Sequence, residues 1–293
     1  MPTLEALIGG QTYNLSDGMP FAWIAADEGM APVRRLTERG PQQHGDTDQG
    51  FLLDPTEFPM GFRLYATSMA DQWTARQLAL RIFRPSRVPI QLRWTLETGD
   101  VRQADVHVQG KVLFASKDSQ GFTLRFVVPL RAADPTLYDP VMQSVVYGVG
   151  AGNAGWIYPL AFPRAFGSNT VNQTRAIPYA GTWKSFPVVI IKGPVTNPVI
   201  TNLTTGDKLD LTGTTISAGQ TYTIDCRPGV KSIVDQAGVN RINTLSDDSD
   251  LTTFALEADP EAPGGINTIR VIGSVANATT DVYLQWYTRY IGL

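Results

Sequence analysis

Apolar and polar positions alternate in short runs along most of this 293-residue chain. A period of two puts successive side chains on opposite faces of a strand, so each run predicts a half-buried strand. In the first half the runs fall at Leu4–Ile8, Tyr13–Leu15, Phe21–Ala25, Val33–Leu36, Phe51–Leu53, Met60–Ala66, Pro89–Leu96, Val101–Phe114 and Gly121–Leu130. Gly9-Gly10, Asp17-Gly18, Asp54-Pro55 and Thr98-Gly99-Asp100 supply turn chemistry between them. Gly40–Gly50, GPQQHGDTDQG, is too polar to bury and predicts an exposed loop, or an arm reaching a neighbouring chain. Met69–Phe83 breaks the two-residue rhythm. It holds good helix formers without Gly or Pro, Ser68 or Asp71 to cap its start, and Pro85 after its end. Ala75, Leu78, Ala79 and Ile82 form one apolar stripe, with Arg76, Arg81 and Arg84 off it. The pattern predicts an amphipathic helix packed on a sheet, with a basic outer face.

Asp134–Pro140, with two Asp-Pro steps, reads as the end of a first unit. A connector, 148–173, then sets Trp156, Tyr158, Phe162 and Phe166 among glycines and prolines, either pinned onto one domain or buried against another subunit. Beyond it Val188–Ile191 is a continuous apolar, β-branched run stopped by Gly193-Pro194. Asn197-Pro198 punctuates before Val199–Leu203, and Thr204–Asp207 turns the chain into Lys208–Leu211. Ile216, Thr221–Cys226, Ser232–Asp235, Phe254–Leu256, Thr268–Gly273 and Asp281–Tyr290 follow with turns at regular intervals, a sandwich pattern. In the last of these Val282, Leu284 and Trp286 alternate with Tyr283, Gln285 and Tyr287, so one face is core. The expected fold is therefore mainly β. An α+β N-terminal domain with one helix on antiparallel sheets (1–147) leads through the connector (148–173) to an all-β sandwich (174–293).

Composition adds bounds. An apolar fraction of 43% with 17% charge suits a chain that buries a core. The net charge of -3 and pI near 5.4 point to neither nucleic acid nor an anionic membrane as partner. Of 24 Lys and Arg residues, 15 precede residue 173 and 13 of these are Arg. They are either solvated surface or, because guanidinium groups make forked and weakly hydrated contacts, subunit contacts. No apolar run approaches the roughly 20 residues that span a bilayer. The N-terminus lacks a basic and apolar leader, so synthesis and retention in a cytoplasm are expected.

Catalytic signatures are sparse. No nucleophile elbow, phosphate loop or dinucleotide fingerprint occurs, and GVGAGNAG (148–155) has neither a following helix nor an acidic partner. Cys226 is the only cysteine, and the only histidines are His44 and His107. Asp247, Asp248 and Asp250 with Asp225 or Asp235 are oxygen-rich enough for calcium, but their spacing fits a solvated acidic turn better. Glu97, Glu257 and Asp259 are the carboxylates open to glycosidase chemistry, with nothing that singles them out. Exposed aromatics on a sandwich could stack sugar rings, which nominates Trp183, Trp286, Tyr287 and Tyr290 unless the tryptophans fill the core. No catalytic residue, cofactor or metal is expected. The non-catalytic carbohydrate-binding module stands as the alternative function.

The segment IPYAGTWKSFPVVIIKGPVTNPVITNLTTGDKLDL, followed by Gly219…Ile224-Asp225, resembles the C-terminal domain of siphophage distal tail proteins. Phe254–Leu256, Gly265-Ile266-Asn267 and Trp286…Tyr290 resemble its later strands. The N-terminal half is similar through Leu15…Asp17-Gly18, Gly29, Pro41-Gln42…Gly45, Arg81…Phe83-Arg84-Pro85 and Asp134-Pro135…Tyr138. The 148–172 connector departs from the pattern. The resemblance implies a structural virion protein of a long non-contractile tail. Such proteins form a homohexameric ring at the tail tip, between tail tube protein and tail hub protein. Their galectin-like outer domains are in some cases linked to receptor-binding proteins or host glycans. A closed ring needs two different patches per subunit. The helix face (Arg76, Arg81, Arg84) and the polar loop (Gln43, His44) are the expected subunit-interface residues.

Overall fold

The computed structural model describes residues 2–16, 18–25, 29–115, 122–148 and 170–293. The predicted turn residue Asp17, the Gly121 start of a predicted strand, and positions 149–169 of the connector with its four aromatic residues lie outside the described residues. The architecture is mainly β, with one α-helix among the described residues. Contacts divide the chain into two units, Met1–Pro140 with Tyr290–Leu293, and Val141–Arg289.

In the first unit β1 (Thr3–Ile8), β2 (Gln11–Asn14), β3 (Phe21–Ala25), β4 (Val33–Glu38), β5 (Thr47–Leu53) and β6 (Thr56–Leu64) precede α1 (Met69–Ile82). After it come β7 (Ile90–Thr95), β8 (Val101–Val108), β9 (Leu113–Phe114), β10 (Leu124–Ala132) and the start of β11 (Leu137–Gly148). Every pairing is antiparallel. β2, β1, β7 and β8 are neighbours in that order, and the other edge of β8 leads to β10, β6 and β3. Strict alternation buries Phe58, Met60, Phe62 and Leu64 of β6 with Leu124, Phe126, Val128 and Leu130 of β10. Phe126 is central, its ring 5.2 Å from Phe62, 5.4 Å from Phe114 and 5.8 Å from Phe21. Aromatic pairs at such separations add stability beyond their area.

The helix starts where its cap predicts: the Ser68 hydroxyl accepts from the Asp71 amide at 3.1 Å, and the Asp71 carboxylate accepts the Ser68 hydroxyl at 2.8 Å. Ala75, Ala79 and Ile82 are buried and Leu78 packs beside them, as the stripe requires. Three expectations change. The run Val101–Phe114 is two strands, because Gly110 adopts a left-handed φ of 89° between them. The polar loop is shorter than Gly40–Gly50: Thr47–Gly50 already belongs to β5, and Gly50 (φ 109°) sits at the irregularity between Leu36 and Thr37. The first unit does end at Pro140, apart from Tyr290–Leu293, but Asp139-Pro140 is not a turn there: it lies inside β11, since proline and the residue before it both favour extended backbone.

In the second unit β12 (Val171–Pro178), β13 (Val188–Lys192), β14 (Val195–Asn202), β15 (Lys208–Asp210), β16 (Thr215–Ile216), β17 (Thr221–Asp225), β18 (Ser232–Asp235), β19 (Ile266–Ser274) and β20 (Asp281–Tyr290) form two sheets. One runs β18–β17–β13–β20–β11; the other runs β12–β19–β14–β15, with β16 also on β14. Both inner faces feed one core. Val189, Ile191, Ile224, Ile233, Val282, Leu284 and Trp286 come from the first sheet, and Ile177, Ile200, Leu209, Ile269 and Val271 from the second. The sandwich reading and the inward Val282-Leu284-Trp286 face are met. Phe254–Leu256 is not a strand but a buried segment tied by a single Ser185–Leu256 bridge. Asn197-Pro198 does not break β14. Asn197 takes a left-handed φ of 52° at a bulge, and its Oδ1 accepts the Gly213 amide at 2.8 Å.

Candidate interaction surfaces

The polar segment of the sequence becomes the tip of an arm. β4 and β5 pair only with each other, as a separate two-stranded sheet among the described residues. A lone two-stranded ribbon is marginal in water without a further hydrophobic contact. All six β4 residues are exposed. Arg35–Asp48 at 3.1 Å, Arg34–Asp54 at 3.4 Å and Arg39–Asp46 at 4.0 Å span the arm, but exposed ion pairs contribute little. Its apolar side chains face water: Val33, Leu36, Phe51 and Leu52 are 40%, 37%, 44% and 48% exposed. Register puts Phe51 opposite Arg35 and Leu52 opposite Arg34, so the two apolar residues lie on opposite faces of the ribbon.

Two of the predicted interface residues lie at this tip. Gln43 holds the turn itself: its Oε1 accepts the Gly40 amide at 2.9 Å and its Nε2 donates to Thr47 Oγ1 at 2.9 Å. His44 is exposed. The other three belong to α1 and its exit. Arg81 and Arg84 are exposed, whereas Arg76 is half-buried, its guanidinium 4.4 Å from the centre of the Phe114 ring and 5.3 Å from that of Trp73. The helix face is therefore not simply basic. Trp73 (55% exposed), Met69 and Leu80 stand out on it, giving a mixed aromatic, aliphatic and guanidinium surface. Among the described residues no hydrogen bond or ion pair joins the arm group to the helix group. Sequence reasoning missed Trp73 and the four arm residues. The near-mirror placing of VRRL and GFLL on either side of one polar turn is the signal that would have found them.

The remaining nominations separate in space. Trp286 is core, Trp183 is half-buried with its carbonyl taking the Tyr179 hydroxyl at 2.6 Å, and Tyr290 lies in the first unit beneath Arg102, 3.4 Å from its ring centre. These aromatics do not form one sugar platform. Asp225 is gripped by Arg227 (2.6 Å) and Asp235 by Arg241 (2.8 Å), while Asp250 accepts the Lys208 amide (3.1 Å) and Asp248 meets Lys208 Nζ (3.4 Å). No metal-ligand grouping occurs among the described residues. Glu257 pairs with Lys184 at 3.6 Å, and burial raises its pKa against that attraction. Asp259 accepts the Gly264 amide at 3.0 Å. The buried Cys226 thiol is pushed up to about 12 by burial and by Asp225 nearby, so it stays protonated at neutral pH. Among the described residues no helix is long and apolar enough to cross a membrane.

A first unit of antiparallel strands with one packed helix, and a second made of two stacked antiparallel sheets, define a mainly β chain of two units. No protein-family model and no curated protein matches it. Among solved structures its fold is similar to that of the Dit protein of phage SPP1, described as a paradigm of the hub adsorption apparatus in phages that infect Gram-positive bacteria. The two share a TM-score of 0.65 over 99% of each chain at 11% identity. It is also similar to a chain of the phage P2 baseplate in its activated, calcium-bound conformation, with a TM-score of 0.50 at 9% identity over 97% of this chain and 98% of that one.

Proposed function

We propose that this chain is a structural protein of a long non-contractile phage tail, forming a homohexameric ring at the distal tip that joins tail tube to tail hub and the host-adsorption apparatus. The observation that carries the reading is a fold shared along 99% of both chains with a phage hub protein, although few residues are identical. Shared architecture without shared sequence fits a role that rests on shape and assembly rather than on a fixed catalytic set. Localisation in the virion, after synthesis in the host cytoplasm, belongs to the same proposal.

The first unit is the ring-forming tail domain in this reading, and the sandwich is the galectin-like outer domain that meets receptor-binding proteins or host glycans. The arm with Gln43 and His44 supplies one patch of the head-to-tail contact. The α1 face with Arg76, Arg81, Arg84 and Trp73 supplies another. Exposed apolar residues on both sides of the ribbon favour an arm that is sandwiched on assembly.

Light scattering behind a sizing column tests it. A species near six times the 32.0 kDa chain, or twice that for stacked rings, is expected. A strict monomer at high concentration, both alone and with tail tube protein added, would refute the ring.

A further inference from the structure

In the first unit the outer face of the β10–β6 pair stands in solvent. Strict alternation turns Val127, Pro129 and Arg131 of β10 outward, together with Glu57, Pro59 and Arg63 of β6. Register sets Pro129 opposite Pro59 and Val127 opposite Leu113 of β9, so the apolar side chains adjoin across three strands. Val127 and Leu113 are 43% and 50% exposed. Guanidinium groups stand at both ends of this apolar strip. Arg63 lies at one end, where its Nη1 donates to the Tyr65 hydroxyl at 3.3 Å. Arg131 lies at the other, opposite His107 of β8. The His107 Nδ1 is 3.3 Å from the Ser86 carbonyl oxygen, which holds the loop after α1 there and brings the exposed Arg87 to the same end. The guanidinium groups of Arg87 and Arg131 make no hydrogen bond or ion pair among the described residues. Glu57 is in register with Arg131 but accepts instead from Gln109 Nε2 at 3.1 Å.

We propose that this face docks an acidic protein partner whose surface carries apolar residues among its carboxylates, and that the partner is not a second copy of this chain. An apolar centre with arginine at its rim is the anatomy of a protein–protein interface; a site for a bare polyanion needs no apolar strip. Without counting Arg125, which lies opposite Arg63, three guanidinium groups stand against one carboxylate along these rows. That balance selects a negative partner surface, and the forked donors suit Asp and Glu side chains. A second copy does not offer the complement from its arm or its helix. The arm's Asp46, Asp48 and Asp54 are paired with Arg39, Arg35 and Arg34, and the α1 face carries Arg76, Arg81 and Arg84. The docking face uses none of the residues of those two patches, so the inference does not rest on the ring reading.

Fluorescence anisotropy of a labelled random copolymer of glutamate and tyrosine, titrated with the full chain, tests it. Polyglutamate and polyphosphate are the comparison probes, and solution mass is measured on the same samples. Saturable binding of the copolymer is expected, weakening as salt rises and at least about tenfold tighter than that of either comparison probe. Arg131→Glu, Arg87→Glu and Val127→Asp should each weaken it about tenfold. Arg270→Glu, the same charge change on an exposed residue of the second unit, should leave it unaltered. Melting temperatures report the fold of each variant, and Arg87 lies in a loop, so its variant keeps the test valid if a β10 substitution fails to fold. Absence of saturable binding, or a loss on Arg270→Glu as large as on Arg87→Glu, would overturn the face. Polyphosphate or polyglutamate bound as tightly as the copolymer would overturn the partner class. A lower solution mass for Arg131→Glu would make the face a contact between copies and overturn the proposed partner. A monomer that binds the copolymer as expected would refute the ring and leave this inference standing.

Discussion

The arm gives the sharpest test of how the chain assembles. Phe51 is 44% exposed although its ring already lies under Arg35, 5.4 Å from the guanidinium. A phenylalanine presents about 200 Å² when free, so about 90 Å² remains for a partner to cover. At about 25 cal/mol per Å², covering it is worth about 2 kcal/mol per contact, or about thirtyfold in each subunit-to-subunit equilibrium. Phe51→Asp removes that gain and asks the interface to desolvate a carboxylate as well. Phe51 is not one of the buried core side chains, so within one chain the change should move fold stability far less than a core substitution would.

The assay measures two quantities on one preparation: solution mass against concentration, and melting temperature under conditions where both forms are monomeric. The expected outcome is a shift from ring to smaller species with an unchanged monomer melting temperature. Leu52→Asp, on the opposite face of the ribbon, should behave alike if the arm is held between two surfaces, and the two effects should add approximately. Rings that survive both changes at low concentration would refute the arm as an assembly contact. A monomer melting several degrees lower would show instead that the ribbon packs on its own chain.

Three further outcomes follow from the packing. Gly193→Ala should destabilise the sandwich by about 3 kcal/mol, read as a lowered melting temperature. A Cβ there would stand 2.2 Å from the Ser217 carbonyl oxygen and 2.6 Å from that of Ile216, both fixed backbone. For Asp225, burial acts to raise the pKa, but the side-chain and backbone hydrogen bonds from Arg227 and its charge together outweigh it and leave it lowered. A carboxylate lowered on folding contributes stability above its unfolded value, near 3.9, and that stability is lost as pH falls through the folded value. Melting temperature should therefore drop as pH falls below about 4, and the Asp225→Asn form should show a shallower drop over that range. Deleting Tyr290–Leu293 should lower the melting temperature of the first unit. It removes the Tyr290–Arg102 stack and the Ala31-to-Ile291 hydrogen bond at 3.4 Å, and uncovers the buried Trp94 beside Ile291.

What the sequence made legible was local pattern. Period two in β6, β10 and β20 fixed which side chains turn inward, and the Ser68 cap with the Ala75-Ala79-Ile82 stripe placed α1 within a residue. Misreadings arose where a breaker residue was absorbed by structure around it. Asn197-Pro198 survives inside β14 because Gly213, Thr214 and Leu211 supply and accept the hydrogen bonds at the bulge. Asp139-Pro140 survives in β11 because both residues favour extended backbone in any case. At Asn197-Pro198 the compensation comes from the 211–214 segment, outside any local window around the pair.

The interaction surfaces were half legible for a related reason. A guanidinium can be located in a sequence, but whether it faces solvent or an aromatic ring depends on which strand lies beneath. Arg76, read as one more outward charge, lies over Phe114 from a different element, while neighbouring Trp73, an obvious core residue by type, stands in water. In the second unit the local pattern served better: Trp286 is core, as the alternation with Val282 and Leu284 required, and the polar Gln285 beside it points to the other face. The alternation of β20 contains that answer once one of its faces is known to be buried. The pairing that fixes the inner face joins β20 to β13, some ninety positions earlier. A binding surface of this kind belongs to the register between strands rather than to any motif within one.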